Sequence, residues 1–162
     1  MRIYSLLNKL ICKREHALGS MKDYYTHRPF LKSELSKIDY SQPVLCMEFG
    51  TGPGSAEVFI KFVDRYKNLT VVSFESDSEW HKSMKDIYES ARYKFVFVYN
   101  WDNLFIDFKL ELFGFDKCEL AFVDQNPWQS RIDTIDALQN VTRCFILHDY
   151  DFYNKGLIQD IF

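Results

Sequence analysis

The sequence predicts an α/β fold in three layers, a mainly parallel sheet with helices on both faces and a helical extension in front of it. Three observations carry that prediction. Beyond Pro43, short apolar runs alternate with segments of helical periodicity, as strand–helix–strand units require. The first run, Val44–Phe49, is apolar except for Glu48, which suits a strand buried on both faces. A glycine-rich turn, Gly50-Thr51-Gly52-Pro53-Gly54, then leads straight into a helical pattern.

Residues 1–40 form the extension, a lid or adaptor with amphipathic helices expected over 3–16 and 29–38 and a linker that includes 21–28. Residues 41–162 form the main domain. After the glycine turn, Val58, Phe59, Phe62, Val63 and Tyr66 recur at helical spacing, and Asn68 closes the pattern. Residues 70–74 are rich in β-formers and make a second strand. Trp80, Met84, Ile87, Tyr88 and Ala91 form the next helical stripe, followed by strands at 95–99 and 119–123. Ile132, Ile135 and Leu138 mark a further helix, and 144–147 make the fifth strand. Residues 104–113 fit strand and helix equally. A complete sheet of this kind adds two more strands. The sheet is therefore expected to be truncated, minimal, or finished from outside this sequence, which leaves an edge for oligomer formation.

With 162 residues, 47% of them hydrophobic, the chain can bury one core. A net charge of −3 speaks against a general nucleic-acid coat. The charge is uneven, +5 over residues 1–37 and −8 over the rest, so the basic end is either a solvated arm or a face for an anionic partner. Cys12, Cys46, Cys118 and Cys144 are scattered, without CxxC or Cys/His ligand spacing, which speaks for reduced core thiols and against structural zinc. The apolar start, 3–11, is broken by Asn8 and Lys9 and lacks a cleavage pattern, so neither a signal peptide nor a membrane span is expected. The expected location is the cytoplasm.

Glu48-Phe49-Gly50-Thr51-Gly52-Pro53-Gly54 has the form acid-x-G-x-G-x-G, between a strand and a helix. Glycines there let the backbone turn sharply and approach a ligand. The helix starting near Ser55 aims free N–H groups at the same space, which favours an anionic group. A dinucleotide fingerprint would place its third glycine at Ser55, so the fit to that motif is poor. Glu75 ends the second strand at the separation a ribose-binding acid requires, with Ser76 next to it. The third strand runs into Asn100-Trp101-Asp102-Asn103, the fourth into Asp124-Gln125-Asn126-Pro127-Trp128, and the fifth into His148-Asp149-Tyr150-Asp151. In open α/β sheets ligands bind at this carboxyl edge, where Asp124, His148 and Asp149 converge.

These segments, over about residues 25–154, resemble the class I S-adenosylmethionine-dependent methyltransferases, a Rossmann-like family whose first motif the glycine turn matches. The resemblance implies S-adenosylmethionine as cofactor, held by Glu48, Gly50, Thr51, Gly52, Gly54, Ser55, Glu75, Ser76, Trp101, Asp102 and Asp124. Glu75 would accept from the ribose hydroxyls and Asp102 from the adenine amino group. Trp101 either stacks on the adenine or covers the core. Asp124, Arg131 and the later His148-Asp149-Tyr150 are similar to a subgroup with V-D-G-x-P-x-x-x-R and H-D-Y, from which Gln125 departs by replacing a glycine.

A base is needed only where the methyl acceptor carries a proton, and for a hydroxyl that base is His148 or Asp124, with Asp149 orienting the imidazole. Related oxygen methyltransferases use a divalent metal at these strand ends; Asp124, Asp149 and Asp151 are the candidate ligands, of a kind suited to magnesium. Tyr25-Thr26-His27-Arg28-Pro29 resembles the family's segment that folds over the cofactor, so His27 and Arg28 are expected to meet cofactor or substrate, with Arg131 also on the substrate side. Asn126-Pro127-Trp128 is partly similar to the N-P-P-aromatic motif of methyltransferases acting on nucleobase amino groups, but one proline is missing. The expected activity is methyl transfer to an oxygen of a small molecule or saccharide. The alternative is a catalytically incomplete fold that binds cofactor or protein, and a nicotinamide-dependent oxidoreductase is a minor third reading.

Overall fold

The computed structural model describes residues 26–106 and 108–148; the expected helix at 3–16, Cys12, Asp149, Tyr150 and Asp151 lie outside them. Strands β1 (Val44–Phe49), β2 (Leu69–Glu75), β3 (Tyr93–Phe97), β4 (Leu120–Val123) and β5 (Phe145–Leu147) form one sheet in the order β3-β2-β1-β4-β5. Every pairing is parallel. The helices are α1 (Arg28–Ser36), α2 (Pro53–Arg65), α3 (Ser78–Tyr88), α4 (Trp101–Leu104) and α5 (Trp128–Leu138), with a 3-10 turn at Leu110–Phe113. This is the Rossmann-like architecture the sequence predicts. The chain starts at the sheet's centre, builds outward to β3, and then crosses to the other side of β1. Strand order thus reverses between β1 and β4, the place where such sheets open a ligand crevice.

Alternation along the strands sends one set of side chains to each face. Cys46, Val71 and Phe122 pack with Leu31 and Leu35 of α1 and Phe59 of α2. Leu45, Phe74 and Val123 pack on the opposite face with Trp101, Leu110 and Ile135. Burying each of the larger side chains contributes about 1.5–3 kcal/mol. Because Leu31 and Leu35 are fully buried in the first of these layers, α1 is part of the packed unit. Among the described residues no helix is long and apolar enough to cross a membrane.

Some boundaries differ from the expected ones for local reasons. The helical stripe ends at Tyr88, leaving Ala91 in a turn where the Ser90 hydroxyl accepts from the Arg92 and Tyr93 amides. Strand β3 therefore starts two residues early, at Tyr93. Residues 104–113 are neither one strand nor one helix. Asn100 caps the short α4, and the 3-10 turn ends at Gly114 with φ +82°. Between them Phe105, Phe108 and Phe113 cluster on Phe49 and Phe74, an aromatic packing without fixed period.

The glycine turn is shaped by one close approach. Gly50 has φ +78°, its N–H donates to the Phe74 carbonyl, and the Asp124 N–H donates to the Phe49 carbonyl. A Cβ on Gly50 would lie 2.6 Å from the Gln125 nitrogen and 2.8 Å from the Asp124 carbonyl carbon. Gly52 differs: its φ of −151° is extended, and a Cβ there meets nothing within 4 Å. Gly50→Ala should therefore cost about 2–4 kcal/mol in urea unfolding, through strain and backbone clash. Gly52→Ala should stay within about 1 kcal/mol of the parent.

Candidate functional site

Three carboxylates mark the carboxyl edge, each in a different setting. Glu75, at the end of β2, is 8% exposed and accepts from three backbone amides, Thr51 at 3.1 Å, Ser76 at 2.7 Å and Asp77 at 2.9 Å. It thereby ties the glycine turn to the start of α3. Trp80 holds the same turn from outside, its indole N–H donating to the Thr51 carbonyl at 2.7 Å. Asp77 caps α3 by accepting from the Trp80 amide, which fixes where that indole starts. Sequence reasoning assigned Trp80 to a helical core stripe; its 43% exposure and this bond place it at the site instead.

Asp124, one residue past β4, is 29% exposed in its side chain and meets two partners at 3.1 Å, the Arg131 guanidinium and Nδ1 of His148. Arg131, on the first turns of α5, also donates to the carbonyls of Gln125, His148 and Asp124. A guanidinium presents five N–H donors in a rigid fork, which suits such a clip. At 8% exposure, Arg131 joins the ends of β4 and β5, and its ring contact with Trp128 at 5.0 Å covers it from outside. Gln125, the departure from the subgroup's glycine, turns inward at 2% exposure and donates to the Ser130 carbonyl and the Thr134 hydroxyl, anchoring α5. The turn after Asp124 thus accommodates a side chain here. A cis peptide joins Asn126 to Pro127.

Glu48 lies beneath the turn rather than on its open side, with no exposure. One of its oxygens, Oε2, is hydrogen-bonded with the Ser73 and Tyr93 hydroxyls, while Oε1 is buried without a hydrogen-bond partner among the described residues. Burial pushes its carboxyl up from the ordinary 4.5 to about 7, against the opposing pull of the Ser55, Ser73, Thr51 and Tyr93 hydroxyls. Ser55 itself donates to the Gly52 carbonyl at 3.1 Å, inside the first turn of α2.

The remaining candidates divide. His27 is buried, its ring 4.8 Å from that of His148 in a T-shaped contact and 4.9 Å from Phe122. It therefore joins the Asp124–His148 cluster. Arg28 sits behind the turn, bonding the Gly54 and Pro53 carbonyls and pairing with Glu57 at 2.5 Å, so it braces the start of α2. Trp101, the first residue of α4, is 6% exposed and packs in the core layer with Leu45, Phe74 and Ile135. Asp102 is exposed at the start of α4, past the end of β3. Asp149 and Asp151 lie outside the described residues, and among those described no three His, Cys, Asp or Glu side chains gather to hold a metal. Cys46 and Cys118 are buried, and burial pushes both thiols up, Cys118 to about 12.

Two outcomes test this geometry. Glu48 has a folded pKa above its unfolded one, so the folded state keeps its proton where the unfolded chain has lost it. Stability should fall as pH rises from about 4.5 to 7 and level off above, by about 3 kcal/mol in all. Denaturant unfolding of Glu48→Gln should lack that slope and give a more stable protein at pH 8. Arg131→Met, which strands Asp124 and three carbonyls, should lower stability by about 3–5 kcal/mol in the same assay. No protein-family model matches the chain and no curated protein matches it, which leaves the geometry of this edge as the ground for a function.

Proposed function

We propose that the chain is the core of an S-adenosylmethionine-dependent methyltransferase acting on a hydroxyl of a small molecule or saccharide. The observation that carries this reading is the placement of the glycine turn and Glu75 side by side at the β1–β4 order reversal, with Asp124 and His148 across the crevice. The turn is open at Gly52, where a Cβ would touch nothing within 4 Å, so a ligand could approach its backbone there. Glu75 would take ribose hydroxyls, and the amides at the start of α2 face the carboxylate end. Bound there, the cofactor supplies an already activated methyl electrophile, so alignment is most of what the protein contributes.

Acid–base work falls to Asp124 and His148. With a hydrogen on Nδ1 donated to Asp124, the imidazole is oriented and Nε2 is the nitrogen left to take the acceptor hydroxyl's proton; that atom is buried, so an acceptor would have to displace its cover to reach it. Arg131 fixes Asp124 from the other side. Magnesium, if used, would involve Asp124 with Asp149 and Asp151. A reducing, cytoplasmic setting accords with the buried thiols of Cys46 and Cys118.

One observation favours a second reading, a cofactor- or protein-binding module without turnover: the same Asp124 oxygen, Oδ1, meets both Arg131 and His148, which spends its charge on the fold. Calorimetric titration with S-adenosylmethionine, S-adenosylhomocysteine and NAD, with and without magnesium, followed by an acceptor panel, separates the readings. Micromolar binding of the two adenosyl ligands but not NAD is expected, with Glu75→Ala weakening it about 10–100-fold. Asp124→Asn should leave that affinity within about threefold and reduce turnover about 10²–10⁴-fold. Failure of both adenosyl ligands to bind would overturn the proposal, and binding without turnover on any acceptor would favour the module.

A further inference from the structure

Beneath the glycine turn three oxygens lie in mutual contact. Tyr93 Oη is 3.0 Å from Glu48 Oε2 and 3.1 Å from Ser73 Oγ, and Ser73 Oγ also meets Glu48 Oε2. Three contacts need three hydrogens, and the two hydroxyls supply two. The carboxyl of Glu48 supplies the third when it is protonated, and the ring then closes with each oxygen donating once and accepting once. Ionised, the carboxylate would break that ring and leave Oε1 charged, buried and without a hydrogen-bond partner among the described residues. The closed ring and burial thus both favour the neutral acid, with the carboxyl pushed up to about 7, two residues before the turn and beside the buried Thr51 hydroxyl.

We propose that Glu48 discriminates the charge of the ligand on the glycine turn, a cationic ligand binding with loss of the carboxyl proton to solvent and a neutral analogue keeping it. The inference rests on the reading that the turn holds an adenosyl sulfonium. A positive charge above a buried acid favours its ionised form, and the low local dielectric strengthens the effect. The groups that face Glu48 are hydroxyls, those of Ser73 on β2, Tyr93 on β3, Thr51 in the turn and Ser55 on α2. Its register partner on β4 is Phe122. Charged and titratable groups of the other elements on this face make contacts of their own: Glu34 with Lys37, Arg28 with Glu57, Glu75 with three amides, His81 on Phe97, His27 on the Phe122 and His148 rings, and His148 with Asp124.

S-adenosylmethionine and S-adenosylhomocysteine differ by one methyl group and one positive charge, so they make a matched pair of probes. Calorimetry at pH 6.5 in two buffers of different ionisation enthalpy counts the protons released by each. The first ligand should release on the order of half a proton more than the second, and its affinity should rise by up to about tenfold per pH unit below pH 7 and then level off. Glu48→Gln should abolish both the excess release and the pH slope. Should that variant not fold, Tyr93→Phe serves instead: it removes a donor that favours ionisation and should move the release window to higher pH. Equal release by the two ligands, or excess release surviving in Glu48→Gln, would overturn the inference alone. Binding by neither ligand at any pH would overturn the methyltransferase reading first.

Discussion

The approach of Gly50 to the peptide between Asp124 and Gln125 is the contact on which the rest of the edge depends. Two strands adjacent in a parallel sheet normally diverge as their chains leave for helices on opposite faces. Here the ends of β1 and β4 remain together for one more residue, through the bond from the Asp124 amide to the Phe49 carbonyl. Only a residue without Cβ, in the left-handed region, fits between them. Everything beyond follows from that junction. The turn is thrown toward β2, where Glu75 receives it, and Asp124 is set where α5 can return Arg131 to it and to the end of β5.

Three carboxylates within one edge behave differently because their surroundings differ in kind. Glu75 is met by backbone amides, which favour its charge at fixed positions. Asp124 is met by a guanidinium and an imidazole, so its charge is matched and its position is shared with the strand ends. Glu48 is met by hydroxyls in a fully buried layer, and burial pushes its carboxyl up to about 7. Environments that separate otherwise identical groups in this way are typical of sites that bind or react.

The architecture was legible because its signals are local and periodic: largely apolar central strands, helical stripes, and glycines at one strand end. All five strands lie within two residues of where alternation puts them. Less was legible where packing decides. No spacing distinguishes a Glu48 that faces a ligand from one that faces Ser73 and Tyr93, since the choice depends on pairing between strands distant in sequence. Arg131 and Arg28 look like anion binders in a list of residues, yet both bond backbone carbonyls, Arg28 those of Pro53 and Gly54 at the start of α2 and Arg131 those of Asp124, Gln125 and His148 at two strand ends. Trp80 was hidden by a helical period that its indole does not follow; the Asp77 cap just before it was the available signal.

The bonds on Thr51 bear on how the turn receives a ligand. An ionised carboxylate offers about four acceptor positions, and Glu75 has committed three of them to amides. A vicinal diol asks for two. One amide must therefore yield, and Thr51 is the one with the longest bond and no place in the start of α3. Its carbonyl, in the following peptide unit, is held by Trp80, so the two sides of Thr51 are tied to β2 and to α3 respectively. On the proposed reading, a diol at Glu75 would compete first with the Thr51 amide, and the turn, close-packed at Gly50 and open at Gly52, has its free side away from the sheet.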